Sequence, residues 1–127
     1  MDADVAQQLA HLQQEFVRTA QALAQTGWVS QGSVVQRFMP CGRARCRCKA
    51  DPPQLHGPYW QWTRVLHGKT VTRRLSERQA RLYREWIANR RRLLTLIGEL
   101  EELSSRAAEI LLQDDEPVSP EASPGRP

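Results

Sequence analysis

The sequence predicts an α+β protein, a small zinc-stapled β-hairpin or three-stranded sheet flanked by an N-terminal helix and a long C-terminal heptad helix. Three observations carry this reading. All three cysteines, Cys41, Cys46 and Cys48, fall with His56 inside sixteen positions. Residues around Trp60 and Trp62 alternate with a period of two, as in a half-buried strand. At both ends of the chain, apolar residues instead recur in steps of four and three, the helical signature.

The first helix belongs to residues 1–27. Val5, Leu9, Leu12, Phe16, Thr19 and Leu23 form one seam. Asp4 with Gln7 makes a capping start, and Gly27 a stop. His11 stands beside the seam among glutamines and reads as a solvated side chain.

Residues 28–75 read as the β region. Val34, Val35, Phe38 and Met39 suit a short strand that enters the cysteine loop. After Pro58, Trp60, Trp62, Arg64 and Leu66 share one face, while Tyr59, Gln61, Thr63 and Val65 share the other. A two-residue turn at His67-Gly68 or Gly68-Lys69 returns the chain along Thr70–Leu75. Val71, Arg73 and Leu75 then join the tryptophan face as the core side, and Thr70, Thr72 and Arg74 the outer side. Arg64 and Arg73 interrupt the core face, so either they snorkel to its edge or they stack on the tryptophans. His67 reads as a turn residue rather than a fifth ligand.

Residues 76–113 read as one long, coiled-coil-like helix. Ser76 and Gln79 form a capping pair. Leu82, Trp86, Asn89, Leu93, Leu96, Leu100, Leu103, Ala107 and Ile110 keep the four-three spacing. At 1.5 Å per residue, residues 76–112 would span about 55 Å, and such a helix needs a partner: the first helix, a second copy or another protein. Tyr83, Ile87, Leu94, Ile97 and Leu111 widen the apolar stripe. Asn89 in the seam suits a register-fixing role, and Gly98 a close helix approach. Arginines load the first half of this helix and glutamates the second, against the preference of the helix dipole. The acidic, proline-rich stretch 114–127 reads as a disordered tail.

Cys41, Cys46, Cys48 and His56 are the ligand set of a Cys₃His site. Zn²⁺ closes a structural site tetrahedrally with thiolates and imidazole, and Gly42, Pro52, Pro53, Gly57 and Pro58 supply the turns that fold ligands back on one ion. The spacing, Cys-x4-Cys-x-Cys, departs from the familiar paired Cys-x2-Cys knuckle. Free thiols, redox chemistry and an iron–sulfur cluster shared between chains are the competing readings, and the metal itself is zinc or iron. Because protein fills all four positions, the site is structural rather than catalytic. Arg43, Arg45, Arg47 and Lys49 interleave with the cysteines and favour their thiolate form.

The run Cys41-Gly42, Cys46, Cys48 and His56-Gly57-Pro58-Tyr59, followed by an aromatic strand, a Gly68-Lys69-Thr70 turn and a long basic helix, resembles a family of short, uncharacterised prokaryotic proteins. Its members are often described as transposase-related or found near mobile elements. The resemblance spans about residues 32–100 and implies a family without a mechanism.

Charge supplies the remaining direction. The net charge is +4, yet Arg37 to Arg92 holds fifteen Lys and Arg against Asp51, Glu77 and Glu85. Such a block is the footprint of a nucleic-acid binder, DNA more than RNA. Arg43, Arg45, Arg47, Lys49, Lys69, Arg74, Arg78 and Arg81 are the residues expected to meet phosphates, with Lys69 grouped beside Thr72 and Arg74 on the outer hairpin face. The competing reading is an interaction or oligomerisation module that works through the heptad helix. Three carboxylates in the basic region do not make a two-metal nuclease site, and Gly68-Lys69-Thr70 lacks the upstream glycine of a phosphate-binding loop. No enzyme, no small-molecule substrate and no membrane span are expected, and the expected location is the cytoplasm.

Overall fold

The structure, a computed structural model, describes residues 2–113, so the tail expected to be disordered lies outside them. Its elements are α1 (Ala3–Ala24), β1 (Ser33–Met39), a short 3₁₀ turn (Arg47–Lys49), β2 (His56–Leu66), β3 (Lys69–Leu75) and α2 (Glu77–Leu111). This is the α+β order that the sequence predicts. The chain forms two compact units, one of Ala24–Thr95 and the other of the stretches up to Leu23 and from Leu96 onward.

In the Ala24–Thr95 unit, the three strands form an antiparallel sheet in the order β1-β2-β3. Val34 stands opposite Trp62, and Trp62 opposite Arg73, so the alternation predicts both faces. The turn is His67-Gly68, with φ of 52° and 76°. Positive φ at both central residues matches the right-handed twist of the strands it joins. This places Lys69 opposite Leu66, on the tryptophan face, whereas the sequence reading grouped it with Thr72 and Arg74. Either two-residue turn leaves the odd-numbered β3 positions on that face, so the alternation itself places Lys69 with Val71 and Arg73.

Trp62, Leu75, Ala80 and Ile87 form the buried core, with Val34, Trp60 and Tyr83 packed against it. The Trp62 and Tyr83 rings stack with centroids 4.3 Å apart, and Trp86 meets Tyr83 edge-on at 5.0 Å. Here α2 turns Ala80, Tyr83 and Ile87 toward the sheet, a stripe offset from the Leu82-Trp86-Asn89 seam that heptad counting selects. A flat sheet face accepts a different stripe from a partner helix, and Ala80, with its single methyl, lets the backbones approach. Arg64 stacks over Trp62 at 4.5 Å and Arg84 over Trp60 at 4.5 Å, while Arg73 is exposed. Stacking is therefore the solution at Arg64.

The segment between α1 and β1 is strapped down by polar contacts. Asn89 Nδ2 donates to the Trp28 carbonyl at 2.8 Å, the Ser30 N–H to the Trp86 carbonyl at 3.1 Å, and Trp62 Nε1 to the Gln31 carbonyl at 2.9 Å. Asn89 thus captures its own chain rather than fixing a helix register. The capping pair forms as predicted, Gln79 N–H donating to Ser76 Oγ at 3.1 Å and Ser76 N–H to Gln79 Oε1 at 2.9 Å. In α1, however, Asp2 and not Asp4 is the cap: Val5 N–H donates to Asp2 Oδ1 at 2.9 Å, and Asp4 accepts from Gln8 one turn on.

In the other unit, Leu12 and Leu96 are buried and Leu100, Leu103, Ala107 and Ile110 half-buried, so the heptad seam holds in this part of α2. Leu9, Leu12 and Phe16 line an open apolar groove with Leu103, Ala107 and Leu111. A Cβ built at Gly98 meets nothing within 4 Å, so this glycine marks no close helix approach.

Candidate metal centre

The cysteine loop is the connection from β1 to β2, and the sheet closes its base. Met39 pairs with His56, past a bulge between Arg37 and Met39. That pairing delivers the chain to Cys41 two residues after β1 and makes His56 the first residue of β2. Gly57 follows the histidine with φ of 143°, and a Cβ there would come within 2.7 Å of the Arg37 carbonyl oxygen. Only glycine fits this close crossing.

Inside the loop the backbone folds on itself. Lys49 N–H donates to the Cys46 carbonyl at 2.9 Å, Gln54 N–H to the Arg47 carbonyl at 3.2 Å, and Lys49 Nζ to the Cys41 carbonyl at 2.7 Å. The 3₁₀ turn buries Cys48 to 3% exposure, while Cys41, Cys46 and His56 are half-buried.

The four ligand atoms lie within 4.8 Å of one another. Cys41 Sγ and Cys48 Sγ are 3.7 Å apart, and Cys46 Sγ and His56 Nε2 are 3.0 Å apart. Zn–S bonds of about 2.3 Å in a tetrahedron imply an S···S edge of about 3.8 Å. The donor set and its spacing therefore fit a tetrahedral ion held by Cys41, Cys46, Cys48 and His56. Backbone N–H groups also point at the sulfurs, Arg43 to Cys41 at 3.4 Å and Cys41 to Cys48 at 3.3 Å, as thiolate acceptors require.

The thiols are unequal. A hydrogen bond from the Cys48 backbone, reinforced by His56, lowers the Cys46 pKa to about 6. At Cys41 the Arg43 N–H pulls the other way from the net result, since burial and the neighbouring Cys46 and Cys48 raise the pKa. One thiol is thus a thiolate at neutral pH before any ion arrives, and a cation that relieves the crowding of sulfurs around Cys41 completes the set.

The eight basic residues expected at an anion surface do not converge on one spot. Arg43, Arg45, Arg47 and Lys49 are exposed on the metal loop, Lys69 on the tryptophan face of the hairpin, and Arg78 and Arg81 on the first turns of α2. Arg74 lies on the opposite sheet face, its guanidinium 4.2 Å over the Tyr59 ring. Arg81 also pairs with Glu77 at 3.5 Å. Sequence reasoning passed over Tyr59 and Arg37, which stand opposite one another beside Arg74 on that face. Strand parity was the available signal.

The family described as a domain of unknown function, DUF6788, matches residues 5–85, more than half of the chain and all four ligands. The chain belongs to the DUF6788 family. In this DUF6788 member the matched span takes in α1, which the resemblance over residues 32–100 left out, and ends inside α2. No curated protein and no solved structure matches the chain.

Proposed function

We propose that the chain is a small nucleic-acid-binding protein, acting on DNA rather than RNA, with a structural zinc ion at Cys41, Cys46, Cys48 and His56 and no catalytic activity of its own. The observation that carries this reading is the division of charge between the two units. The Ala24–Thr95 unit holds fifteen Lys and Arg against three Asp and Glu, while the described residues of the other unit hold two against seven. Among the described residues, Arg81–Glu77 is the single ion pair in the basic unit. Fourteen cations stand without a carboxylate partner among the described residues, and their mutual repulsion is relieved when a polyanion binds.

In this reading the metal holds the loop, and the loop presents Arg43, Arg45 and Arg47. Zn²⁺ supplies a cross-link and no reaction, because all four of its positions are protein ligands. The family resemblance supports a role as an accessory to mobile elements, working in the cytoplasm, where thiols stay reduced. No helix among the described residues is long and apolar enough to cross a membrane.

The test is duplex affinity of the full-length, metal-loaded protein across salt. A log–log slope of about −0.9 per phosphate contacted is expected, reduced when Arg43, Arg45 and Arg47 are replaced together by Gln. Absence of any duplex binding at low salt removes the reading. A second reading, self-association or a partner protein, is favoured by the apolar groove of Leu9, Phe16 and Leu103. A salt-independent oligomer without DNA affinity, seen by light scattering, would support it.

A further inference from the structure

The sheet has one committed face and one free one. Trp62 and Leu75 bury the first against Ala80 and Ile87. On the second, the register places Arg37 opposite Tyr59, Gln61 opposite Arg74 and Thr63 opposite Thr72. All six are half-buried or exposed, and no carboxylate shares their face. We propose that this outer face reads base edges in the major groove of duplex DNA. The inference rests on the nucleic-acid reading above and adds the surface that would specify sequence.

The side chains are those that base edges recognise. An arginine fork pairs with the two acceptors of guanine, a glutamine amide with the acceptor and donor of adenine, and a threonine methyl with that of thymine. On the free face, such groups occupy neighbouring rungs of one ladder rather than scattered loops. Arg74 makes no hydrogen bond or ion pair among the described residues. Its stack on Tyr59 at 4.2 Å holds the guanidinium plane while leaving the N–H edge open. Thr63 and Thr72 hydroxyls lie 3.4 Å apart, joining β2 and β3 across the face. Two strand spacings give about 10 Å between the outer backbones, against a major groove about 12 Å wide. The +12 charge of the same unit supplies complementarity to phosphates on either side.

Other nucleic acids fit this face less well. A single strand binds by stacking its bases on exposed rings. Tyr59 is already covered by Arg74, both tryptophans of the sheet lie on the other face, and the exposed Phe38 ring stands alone at the bulged end of β1, so no row of open rings is presented. Duplex RNA hides its base edges in a deep, narrow major groove that side chains cannot read.

The test is selection from a pool of random DNA duplexes by the full-length, metal-loaded protein, followed by affinity measurements on the selected sequence. A recurring motif of a few base pairs is expected. Arg74→Lys keeps the charge but loses the fork, and Gln61→Ala loses the amide. Each should relax preference at its own base position by about 5- to 150-fold while affinity for unselected duplex persists. Arg45→Ala, on the metal loop, should instead weaken all sequences alike. Circular dichroism confirms that each variant is folded, and dimethyl sulfate protection of guanine N7 in the selected site gives a second readout of major-groove occupancy. Salt-dependent duplex binding with no motif, a motif untouched by both sheet variants, or tighter binding to single strands or duplex RNA would each overturn this inference alone. No duplex binding by the unaltered protein would overturn the underlying reading as well.

Discussion

Replacing Cys48 with Ser tests the metal centre at its most buried ligand, 3% exposed. His56 stands fifteen positions after Cys41, and the ion would tie the two ends of that span together. A cross-link that closes a loop of this length stabilises the fold by about 3 kcal/mol through the unfolded state. The core of the Ala24–Thr95 unit has four buried side chains, so little else compensates for the loss. Domains of this size shift their midpoint by about 4–8 °C per kcal/mol, which gives an expected fall of about 12–24 °C for Cys48→Ser. The assay is thermal unfolding of the metal-loaded protein, the same protein with chelator, and Cys48→Ser, alongside elemental analysis. One zinc per chain is expected in the first sample and none in the variant. Chelated protein and variant should melt together, since both lack the same cross-link. Absence of zinc from the folded, monodisperse protein as purified, or coincident melting of the variant and the loaded protein, would refute the reasoning.

Four further outcomes follow from particular contacts. In metal-free protein, iodoacetamide should modify Cys46 before Cys41 at neutral pH. Its rate should rise with pH to half its maximum near pH 6, where the lowered pKa puts the thiolate, and a rate that climbs only above pH 8 would contradict this. Gly57→Ala forces a methyl against the Arg37 carbonyl at positive φ and should cost about 1–3 kcal/mol, with faster metal loss to a chelator. Trp62→Ala removes the 6%-exposed centre of the core together with its stack on Tyr83. A loss of about 3–5 kcal/mol is expected in urea unfolding, and a shift under 1 kcal/mol would mean the sheet does not pack on α2 as described. Glu77→Ala breaks an ion pair whose side chains are 76% and 66% exposed, so the same unfolding experiment should move by less than about 1 kcal/mol.

How much of this was legible beforehand varies with the range of the signal. Local chemistry read correctly: the Ser76–Gln79 cap forms, and a two-residue turn joins β2 to β3. Period-two alternation assigned Trp62, Arg73 and Leu75 to one face because a strand has only two faces to choose from. Lys69 was grouped with the outer face against that same rule, since either two-residue turn leaves the odd-numbered β3 positions beside the tryptophans. Asp4 failed as a cap because Asp2 also offers an oxygen to the first turn, and propensity does not choose between two aspartates so close together. Heptad counting misjudged the early part of α2, where Ala80, Tyr83 and Ile87 face the sheet. An apolar stripe wide enough for two neighbours does not say which neighbour takes which edge.

The sequence by itself determined the α+β element order, the four donors and the basic block, because each is written in spacing, residue type or charge along the chain. Tertiary structure alone decided that the donors meet within 4.8 Å, since Met39 must pair with His56 before Cys41 can approach the histidine. It also decided that Asn89 binds its own linker, and that Tyr59 and Arg74 share an open sheet face. Such contacts join residues far apart in sequence, and no local pattern encodes the register that brings them together.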